Sequence, residues 1–467
     1  MAAEWSQAPD AGVGRRYVGR HDRLPRAVAR CLSAQEVARA LRHAQHQGMP
    51  FAVRSSGHSY ADHSSTDGLL IDLSGMCEAC FDSATGTVTV GSGQTLGGLS
   101  DLLTAHGRLV PGGSCPTVAI GGITLAGGFG FRGRLHGLTA DNLVRAEVVL
   151  ADGTIVTADA EHEADLFWAL RGAGAGNFGV ATTLTLKTHP LTPLCGIYAS
   201  WPLRHAVRVL DVWQHWAPRL PDDTTIEAYL VAPDLDDEPA LVEVWGVGPE
   251  SAVLQEVLEL VGVPPEEFLA FDLAADAAAC YLSGRMVRAN QPLWTPEGPF
   301  ERPSHAYVKS EFFERPLPVE ALTAVVRQLE HERVYGEYRD LEFTPWGGAY
   351  ARVEDSAFIH RRPLMLISHT VLRGTSAGPR QLEEAGRWLH GSWSALHPHA
   401  NGHVYQGYPD PELDDWEHAY YGPQAARLRR IKARYDPGGV FRFAQSLGQD
   451  RLPASPADDP AHDAVET

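Results

Sequence analysis

Short blocks of apolar residues, separated by glycine-rich turns, run through the first 190 residues and predict a mixture of strands and helices. Ser33 and Glu36 form a capping box for a helix that ends at Gly48, before the apolar strand "PFAVRS". The segment "TGTVTVGSG" alternates with the period of a strand, and "TLGGLSDLLTAHG" has the spacing of a helix. Asp152-Gly153, between two strand-like runs, indicates a hairpin. "EADLFWALRG" then predicts a short helix, and "VATTLTLKTHP" predicts a strand.

Longer elements follow Pro190 and Pro193, which indicate a boundary in the chain. Helices are predicted in "HAVRVLDVWQHWA", "ESAVLQEVLELVG" and "VEALTAVVRQLEHER", and strands in "TTIEAYLVA", "ALVEVWGVG", "HAYVKSEFF" and "PLMLISHTVL". This alternation suits a sheet with one face covered by helices, so the predicted fold class is α+β. Residues 450–467 are rich in Pro and Asp with little to bury, and we expect this tail to be disordered.

The charge balance excludes two classes of partner. The chain has 39 Lys and Arg against 58 Asp and Glu, a formal charge of −19, which repels nucleic-acid phosphates and anionic lipid. We therefore expect neither nucleic acid nor a membrane as a partner, and no apolar run approaches the length of a membrane span. The N-terminal "MAAEWSQAPDAGVGRR" lacks the apolar core of a secretory signal, which favours a cytoplasmic location.

The cysteines and histidines do not predict a metal site. The six cysteines are scattered, unlike a disulfide framework. Cys77 and Cys80 form a C-x-x-C between two strand-like runs, without the βαβ setting of a redox motif or a second ligand pair for zinc. His58 and His63 also lack Cys or carboxylate partners at ligand spacing.

Two G-x-G-x-x-G patterns, at 128–133 and 174–179, occur in the wrong context for a dinucleotide-binding loop. Such a loop follows a strand and opens a helix, whereas the second copy follows a helix and precedes a strand. The first copy leads into "RLHGLTADN", which is too polar and glycine-broken for a nucleotide-binding helix. The glycines of 111–133 instead suggest a backbone wall against a flat or phosphate-bearing cofactor, with a set of tight turns as the alternative.

The stretch "VRSSGHSYADHS" places His58 on a small-residue turn directly after a strand, where a lone His is more often satisfied by its neighbours. Three segments taken together, however, resemble the berberine-bridge-enzyme-like branch of the vanillyl-alcohol oxidase/PCMH superfamily of FAD-linked oxidases. They are "RSSGH", similar to the family's R-x-G-G-H turn, "GGSCPTVAIGGITLAGGFG", and the C-terminal "YYGPQAARLRRIKARYDPGGVFRFAQSL". "LRGAGAGNFGV" and "GLTADN" also fit this family.

The resemblance implies a PCMH-type FAD-binding domain of two α+β subdomains, and a substrate domain whose antiparallel sheet is covered by helices. Residues 1–190 would form the FAD-binding part, 191–398 the substrate domain, and 399–449 a return to the FAD domain. His58 and Cys115 would bind FAD covalently, at the flavin 8α-methyl group and at C6. In this family, two such bonds fix the flavin in position and raise its reduction potential, which makes the flavin a stronger hydride acceptor. Ser56 replaces the usual Gly, a small change that should leave His58 in place.

Further cofactor contacts are also implied by the resemblance. They come from the His58 turn, from the glycine-rich loop and from the start of the strand after 174–179: Arg54, Ser55, Ser56, Gly57, Ser59, Gly113, Val118, Gly121, Gly122, Gly128, Gly130, Gly179 and Val180.

The resemblance also implies a tyrosine base in "HVYQGYPD". Tyr408 matches the family's catalytic Tyr and Tyr405 its partner across the pocket, while Gly407 replaces the usual Asn. A phenol titrates near pH ~10, so a cation, hydrogen bonds or a second Tyr must favour the phenolate. The candidate cations are Arg352, His360, Arg361 and His369. Phe129 stands where many relatives have a Tyr hydroxyl, so Tyr408 must act without a second base there.

The implied reaction is hydride transfer from a small-molecule substrate to the flavin, followed by reoxidation by O₂ to H₂O₂. Val118 lies three residues after the tethering Cys, where the family's side chain controls access of O₂; simple packing of Val118 is the alternative.

The substrate class is a hydroxyl-bearing sugar or secondary metabolite. An oxidative cyclase and an acceptor-linked flavin dehydrogenase remain alternatives. The pocket aromatics would come from Trp346, Tyr350, Trp294, Tyr281 and Tyr198, and for each of them a position in the core is the alternative.

Overall fold

The computed structural model describes residues 24–234, 238–282, 286–288, 291–292, 305–374 and 376–448. Trp294 and the tail 450–467 lie outside these residues. Within them the fold is α+β, as expected, and consists of two small N-terminal sheets, one large antiparallel sheet, and a C-terminal helical segment that packs against the second N-terminal sheet. No helix in the described part of the chain combines the length and the apolar character needed to cross a membrane.

The first subdomain is a three-stranded parallel sheet in the order β1-β3-β2 with one helix against it. Its elements are β1 (Ala27–Arg30), α1 (Ala34–His46), β2 (Phe51–Arg54) and β3 (Leu69–Asp72). Ser33 caps α1 as predicted, since its side chain accepts a hydrogen bond from the Glu36 N–H at 3.3 Å, but the reciprocal bond of the predicted capping box is shifted by one residue along the chain. The Glu36 carboxylate accepts from the Leu32 N–H at 2.8 Å. These bonds fix where α1 begins, and the connection from β2 to β3 carries the His58 turn.

The second subdomain is a five-stranded antiparallel sheet in the order β4-β5-β9-β7-β8. Its strands, with a small β6–β10 pair beside them, are β4 (Ala79–Asp82), β5 (Thr87–Gly91), β6 (Arg108–Leu109), β7 (Leu143–Val149), β8 (Ile155–Asp159), β9 (Val180–Lys187) and β10 (His189–Pro190). Its helices are α2 (Leu96–Thr104), α3 (Ile120–Ala126), α4 (Gly133–His136) and α5 (Ala164–Ala173). The β7–β8 hairpin is confirmed, with Gly153 at φ +81°. The segment 174–179 follows α5 and precedes β9, and 128–133 leads only into the four-residue α4, so the rejection of a dinucleotide-binding loop is also confirmed.

The large sheet has seven antiparallel strands in the order β14-β11-β13-β12-β18-β19-β17. The elements of this region are β11 (Leu194–Pro202), α6 (Ala206–Trp216), β12 (Thr225–Ala232), β13 (Leu241–Gly248), α7 (Ala252–Val261), β14 (Glu267–Leu273), α8 (Ala275–Leu282), β15 (Met286–Arg288), β16 (Gln291–Pro292), β17 (His305–Phe313), α9 (Val319–Glu330), β18 (Glu337–Pro345), β19 (Met365–Arg373) and α10 (Pro379–Leu396). Buried side chains of α6, α7, α9 and α10 form one core with one face of this sheet, as the sequence predicts. The other face of β12, β13 and β18 is left for the cavity described below.

The C-terminal segment returns to the second subdomain. Helices α11 (Trp416–Tyr421) and α12 (Ala425–Tyr435) share a buried apolar core with α5. Lys432 is buried, and its ammonium donates to the carbonyl of Asn177 at 2.6 Å and to the Asp436 carboxylate at 2.7 Å. A buried ammonium is tolerated only when it is paired in this way. The return therefore ties the loop before β9 to the end of the described chain.

Two buried arginines join the large sheet to the second subdomain. Arg361 forms a two-pronged ion pair with Asp141, at 2.8 Å for each of two nitrogen–oxygen contacts. Arg134 donates to main-chain carbonyl oxygens in the turn between α6 and β12, which are those of Ala217, Pro218, Leu220 and Thr224. Because the guanidinium presents five donors in a fixed plane, each arginine holds several partners at once. The two regions are thus fixed around the space between them.

Candidate functional site

A cavity of about 590 Å³ lies between the N-terminal subdomains, the open face of the large sheet and the loop after α10. Most of the side chains and glycines predicted to contact a cofactor line it: Ser55, Ser56, Gly57, His58, Ser59, Gly113, Cys115, Val118, Gly121, Gly122, Gly130, Gly179 and Val180. Tyr405 and Tyr408 line the same cavity. Its volume is within the range of about 300–1,000 Å³ found for small-molecule and cofactor sites. The structure therefore gathers segments that are more than 300 residues apart in sequence.

The His58 turn and the Cys115 loop meet at Thr117, a residue that the sequence analysis did not single out. Thr117 Oγ1 lies 3.0 Å from His58 Nε2 and 3.5 Å from Cys115 Sγ. Gly57 has φ +79°, a conformation that side chains rarely adopt, and this turns the backbone to present His58. Ser56 Oγ accepts a hydrogen bond from the Ala119 N–H at 2.8 Å. The serine that replaces the family's glycine thus links the two loops.

Two of the predicted cofactor residues lie behind the cavity wall. Arg54 is buried and donates to the Ser64 carbonyl at 3.1 Å, within the connection that follows the His58 turn. Gly128 donates its N–H to the Tyr405 hydroxyl at 3.0 Å. A Cβ added to Gly128 would lie 2.3 Å from Thr139 Oγ1, so its missing side chain serves protein packing. Both residues shape neighbours of the cavity and do not face it.

The glycines that line the cavity serve two purposes. At Gly130 an added Cβ would lie 1.9 Å from the Gly112 carbonyl oxygen, and at Gly179 it would lie 2.6 Å from Val148. These positions need glycine because other parts of the protein pack against them, a reason that differs from both the cofactor wall and the tight turns considered for the glycines of 111–133. Gly122 differs, since nothing lies within 4 Å of its added Cβ. Its backbone is open to the cavity and can be approached closely by a bound group.

The residues present fit FAD. The cavity combines an open glycine wall at Gly122 with an imidazole and a thiol that share one neighbour, Thr117. Cys115 is a free thiol and is partly exposed to this space. An imidazole and a thiol are the side chains through which the family attaches its flavin, so His58 and Cys115 would hold the cofactor here.

The cysteines and histidines considered for metal binding or redox chemistry do not form such a site in the described part of the chain. Cys77 and Cys80 are exposed free cysteines, and no group of three or more His, Cys, Asp or Glu in the described part of the chain is placed to hold a metal ion. His63 lines the cavity beside Phe443, with ring centroids 4.5 Å apart, and burial lowers its pKa to about 4. It is therefore neutral at physiological pH.

Tyr408 stands among aromatic rings on the cavity wall. Its ring centroid lies 5.1 Å from that of Tyr405, 5.5 Å from that of Tyr60 and 5.8 Å from that of Phe129. The Tyr408 hydroxyl has no hydrogen-bond partner among the residues described, whereas that of Tyr405 accepts from a main-chain N–H. A Cβ at Gly407 would come within 2.4 Å of the Tyr405 ring, so this ring occupies the space in which a side chain at position 407 would begin.

The electrostatics around Tyr408 differ from the expectation. Burial raises its pKa well above the ordinary value of 10, and the carboxyl group of Glu342 raises it further, with Tyr60, Tyr405 and Glu227 adding to the effect. All of these contributions favour the neutral phenol over the phenolate. In the protein alone, Tyr408 is therefore protonated at neutral pH.

The proposed cationic partners of Tyr408 are not its partners. Each of the four has other contacts: Arg352 pairs with Asp222, Arg361 with Asp141, His360 with Gln406 and His369 with Ser392. Burial lowers the pKa of His369 to about 3 and that of His360 well below 6.5, so both rings are neutral. These residues were suggested only because their side chains can be cationic, and in the fold each of them pairs with a residue other than Tyr408.

The open face of the large sheet contributes four cavity residues that sequence reasoning missed, which are Glu227, Tyr229, Trp245 and Glu342. The available signal was a glutamate inside each of two apolar strand patterns, "TTIEAYLVA" and "DLEFTP". The four suggested aromatic residues that lie within the described ranges do not line the cavity. Trp346, Tyr350 and Tyr281 are at most 2% exposed, and Tyr198 hydrogen-bonds to Glu243.

Comparison with known proteins finds matches to two family models and to FAD-linked relatives. The family described as "FAD binding domain" matches residues 25–159, and "Berberine and berberine like" matches residues 404–448. An uncharacterised FAD-linked oxidoreductase of Bacillus subtilis (strain 168), YgaK, is 30% identical over 432 residues, which cover 91% of this chain and 92% of the relative.

Two solved structures are similar over nearly the whole chain. Wild-type BBE-like 1 of Physcomitrella patens has a TM-score of 0.82 and 26% identity, over 93% of this chain and 94% of that one. Xylooligosaccharide oxidase from Myceliophthora thermophila C1, in complex with xylobiose, has a TM-score of 0.81 and 25% identity, over 96% of this chain and 97% of that one.

Proposed function

This chain belongs to the berberine-bridge-enzyme-like family of FAD-linked oxidoreductases, and from that premise we propose that it oxidises a hydroxyl-bearing carbon with O₂ as the final acceptor. The substrate would be a sugar or a hydroxylated secondary metabolite, and the xylooligosaccharide oxidase with a similar fold supports the first of these. The observation that carries the proposal is one cavity that holds His58, Cys115 and Tyr408 together.

FAD would be held covalently by His58 and Cys115. Both side chains face the cavity and both contact the Thr117 hydroxyl, which supports a single attachment region. When bound, FAD supplies a hydride acceptor and passes two electrons to O₂. The balance is a substrate C–H lost as hydride and an O–H lost as a proton, which yields a carbonyl compound and H₂O₂.

Tyr408 would take the proton from the substrate hydroxyl in its tyrosinate form, which is the minor form at neutral pH of a phenol with a raised pKa. Its own hydroxyl has no hydrogen-bond partner among the residues described, so it is available to a substrate in the cavity. The Tyr405 hydroxyl is already engaged by Gly128, and Phe129 offers no hydroxyl at all. This leaves Tyr408 as the phenol best placed for general-base catalysis, which requires hydrogen-bond reach of the transferred proton.

A peroxide assay with purified protein tests this function. We expect H₂O₂ to form with at least one member of a panel of oligosaccharides and hydroxylated metabolites, with one carbonyl product per peroxide. A ring-closed product would support an oxidative cyclase instead. Substrate-dependent dye reduction without peroxide in air would support an acceptor-linked dehydrogenase.

The Val118→Leu variant tests the oxidase assignment separately. A larger side chain beside Cys115 should obstruct O₂, so reoxidation of the reduced protein should slow several-fold while reduction by substrate changes little. Rapid mixing of reduced protein with air-saturated buffer measures this step. Val53→Leu adds the same methylene group elsewhere on the cavity wall and should leave reoxidation unchanged. An unaltered rate in Val118→Leu would contradict a role in O₂ access.

A further inference from the structure

The open face of the large sheet presents a compact acidic surface to the cavity, formed by Glu227, Tyr229 and Glu342 and called here the acidic wall. In β12 the alternate residues Ile226, Ala228 and Leu230 pack into the core beneath the helices. The period of two in a strand therefore directs Glu227 and Tyr229 to the opposite face. Tyr229 pairs with Glu342 across the β12–β18 register, which brings the second glutamate beside the first.

The hydrogen bonds within the acidic wall leave its negative charge unbalanced. The Tyr229 hydroxyl donates to Glu227 at 2.6 Å and lies 3.3 Å from an oxygen of Glu342. A phenol has one proton and cannot satisfy two carboxylates at once, and the Thr344 and Ser368 hydroxyls that donate to Glu342 at 3.3 and 3.4 Å bring no positive charge. Glu227 is only 4% exposed. No Lys, Arg or His side chain in the described ranges forms an ion pair with either glutamate.

Buried carboxylates are normally paired with a cation, because desolvation disfavours an isolated charge. Desolvation raises the pKa of both glutamates in the absence of a partner. The acidic wall therefore binds a proton more readily than two exposed carboxylates would, and a positive group can replace that proton. Its position on the cavity, and not on the outer surface, means that such a group would arrive with a ligand.

Aromatic residues give a second, independent indication. Trp245 lines the cavity next to the acidic wall, with its ring 5.2 Å from that of Tyr229. Its indole N–H is buried and has no hydrogen-bond partner among the described residues, which leaves a donor for a ligand. Aromatic faces beside carboxylates are the usual surroundings of a bound ammonium group, which interacts with the ring quadrupole at short range.

We propose that the substrate of this enzyme carries a protonated amine, which is held by Glu227 and Glu342 against the faces of Tyr229 and Trp245. The inference rests on the proposed function, since it places the amine and the oxidised carbon in the same cavity. The bound ammonium group would also be the cation near Tyr408 that the four Arg and His candidates do not provide. Its positive charge offsets the two carboxylates, whose negative charge disfavours the tyrosinate. The substrate itself would thus favour deprotonation of Tyr408.

Three disaccharides with the same β-1,4-linked hexose skeleton test the charge alone: the glucosamine disaccharide, its N-acetylated form and cellobiose. Calorimetry with the holoenzyme near neutral pH measures their dissociation constants without requiring turnover. We expect the free amine to bind roughly 10- to 100-fold more tightly than the other two, as lost hydrogen bonds to charged groups imply. Glu342→Gln and Glu227→Gln should remove most of this preference and leave the affinity for cellobiose within about threefold.

Asp340→Asn is the matched control. Asp340 is on the same strand and the same face as Glu342 but does not line the cavity, so this variant should keep the preference for the amine. Flavin absorbance and the unfolding temperature check that each variant folds.

Binding of cellobiose as tight as that of the amine would overturn the inference, and so would equal weakening of both ligands in Glu342→Gln. Either result leaves the proposed function standing if peroxide forms. Preferred binding of the amine without flavin or peroxide in any assay would instead refute the proposed function.

Discussion

Replacement of Tyr408 by phenylalanine should slow flavin reduction by about 10²- to 10⁴-fold, because general-base catalysis contributes that much to proton removal. FAD should stay bound, since the ring contacts of Tyr408 with Tyr60 and Phe129 do not need its hydroxyl. Anaerobic rapid mixing with substrate, followed at the flavin absorbance, measures the rate. Tyr405→Phe is the matched control and should cost less, because that hydroxyl is already bonded to Gly128.

The pH dependence gives the same experiment a second readout. The raised pKa of Tyr408 means that the tyrosinate fraction increases as the pH rises toward that value. Reduction by an uncharged substrate should therefore accelerate through the alkaline range, and the acceleration should disappear in Tyr408→Phe. Equal rates for parent and variant would assign the base to another group, and Glu342 on the same cavity is the first residue to examine.

Removal of both tethering side chains should release all of the flavin. Acid-denatured parent protein should keep its yellow colour with the polypeptide, and so should His58→Ala and Cys115→Ala, each of which retains one nucleophile. The double variant should lose every covalent bond, so that FAD appears in the supernatant after precipitation. This measurement uses denatured protein and therefore does not depend on activity.

Two controls separate attachment from folding. Cys80→Ala removes an exposed thiol outside the cavity and should not alter the retained colour. Thr117→Val removes the hydroxyl that contacts both nucleophiles while leaving each in place, and it should keep covalent flavin. Free FAD from the acid-denatured parent would show that neither His58 nor Cys115 forms the bond.

Sequence patterns over a few neighbouring residues were sufficient to predict helix starts and tight turns. The N-cap at Ser33 and the hairpin at Gly153 were predictable because their hydrogen bonds join residues that are close along the chain. Strands β11, β14 and β18 were missed. β11 is buried at nearly every position, so it lacks the alternation that identifies a strand. In β18, charged residues lie on both faces, with the buried Glu337 and Arg339 on one and Asp340 and Glu342 on the other, so no alternation of apolar and polar residues marks the strand.

In the candidate site, too, the features that depend on long-range contacts could not be predicted from the sequence. His58, Cys115 and Tyr408 were identified through family motifs, and the fold brings them to one cavity. The environment of Tyr408 was not predictable, because Glu227 and Glu342 reach it only through the pairing of β12 with β18. Whether an aromatic residue faces the core or the cavity depends equally on such long-range pairing.

The C-terminal return has a consequence for biosynthesis. Helix α12 completes a core that includes α5, and the Lys432 ammonium donates to the carbonyl of Asn177, which lies 255 residues earlier. Chains emerge from the ribosome at about 5–20 residues per second, and their N-terminal parts begin to fold first. A nascent chain that ends before Lys432 lacks part of this core and, if shorter still, the loop with Tyr408. Cofactor capture should therefore wait until translation is nearly finished, and ribosome-bound fragments ending near residue 400 should be colourless.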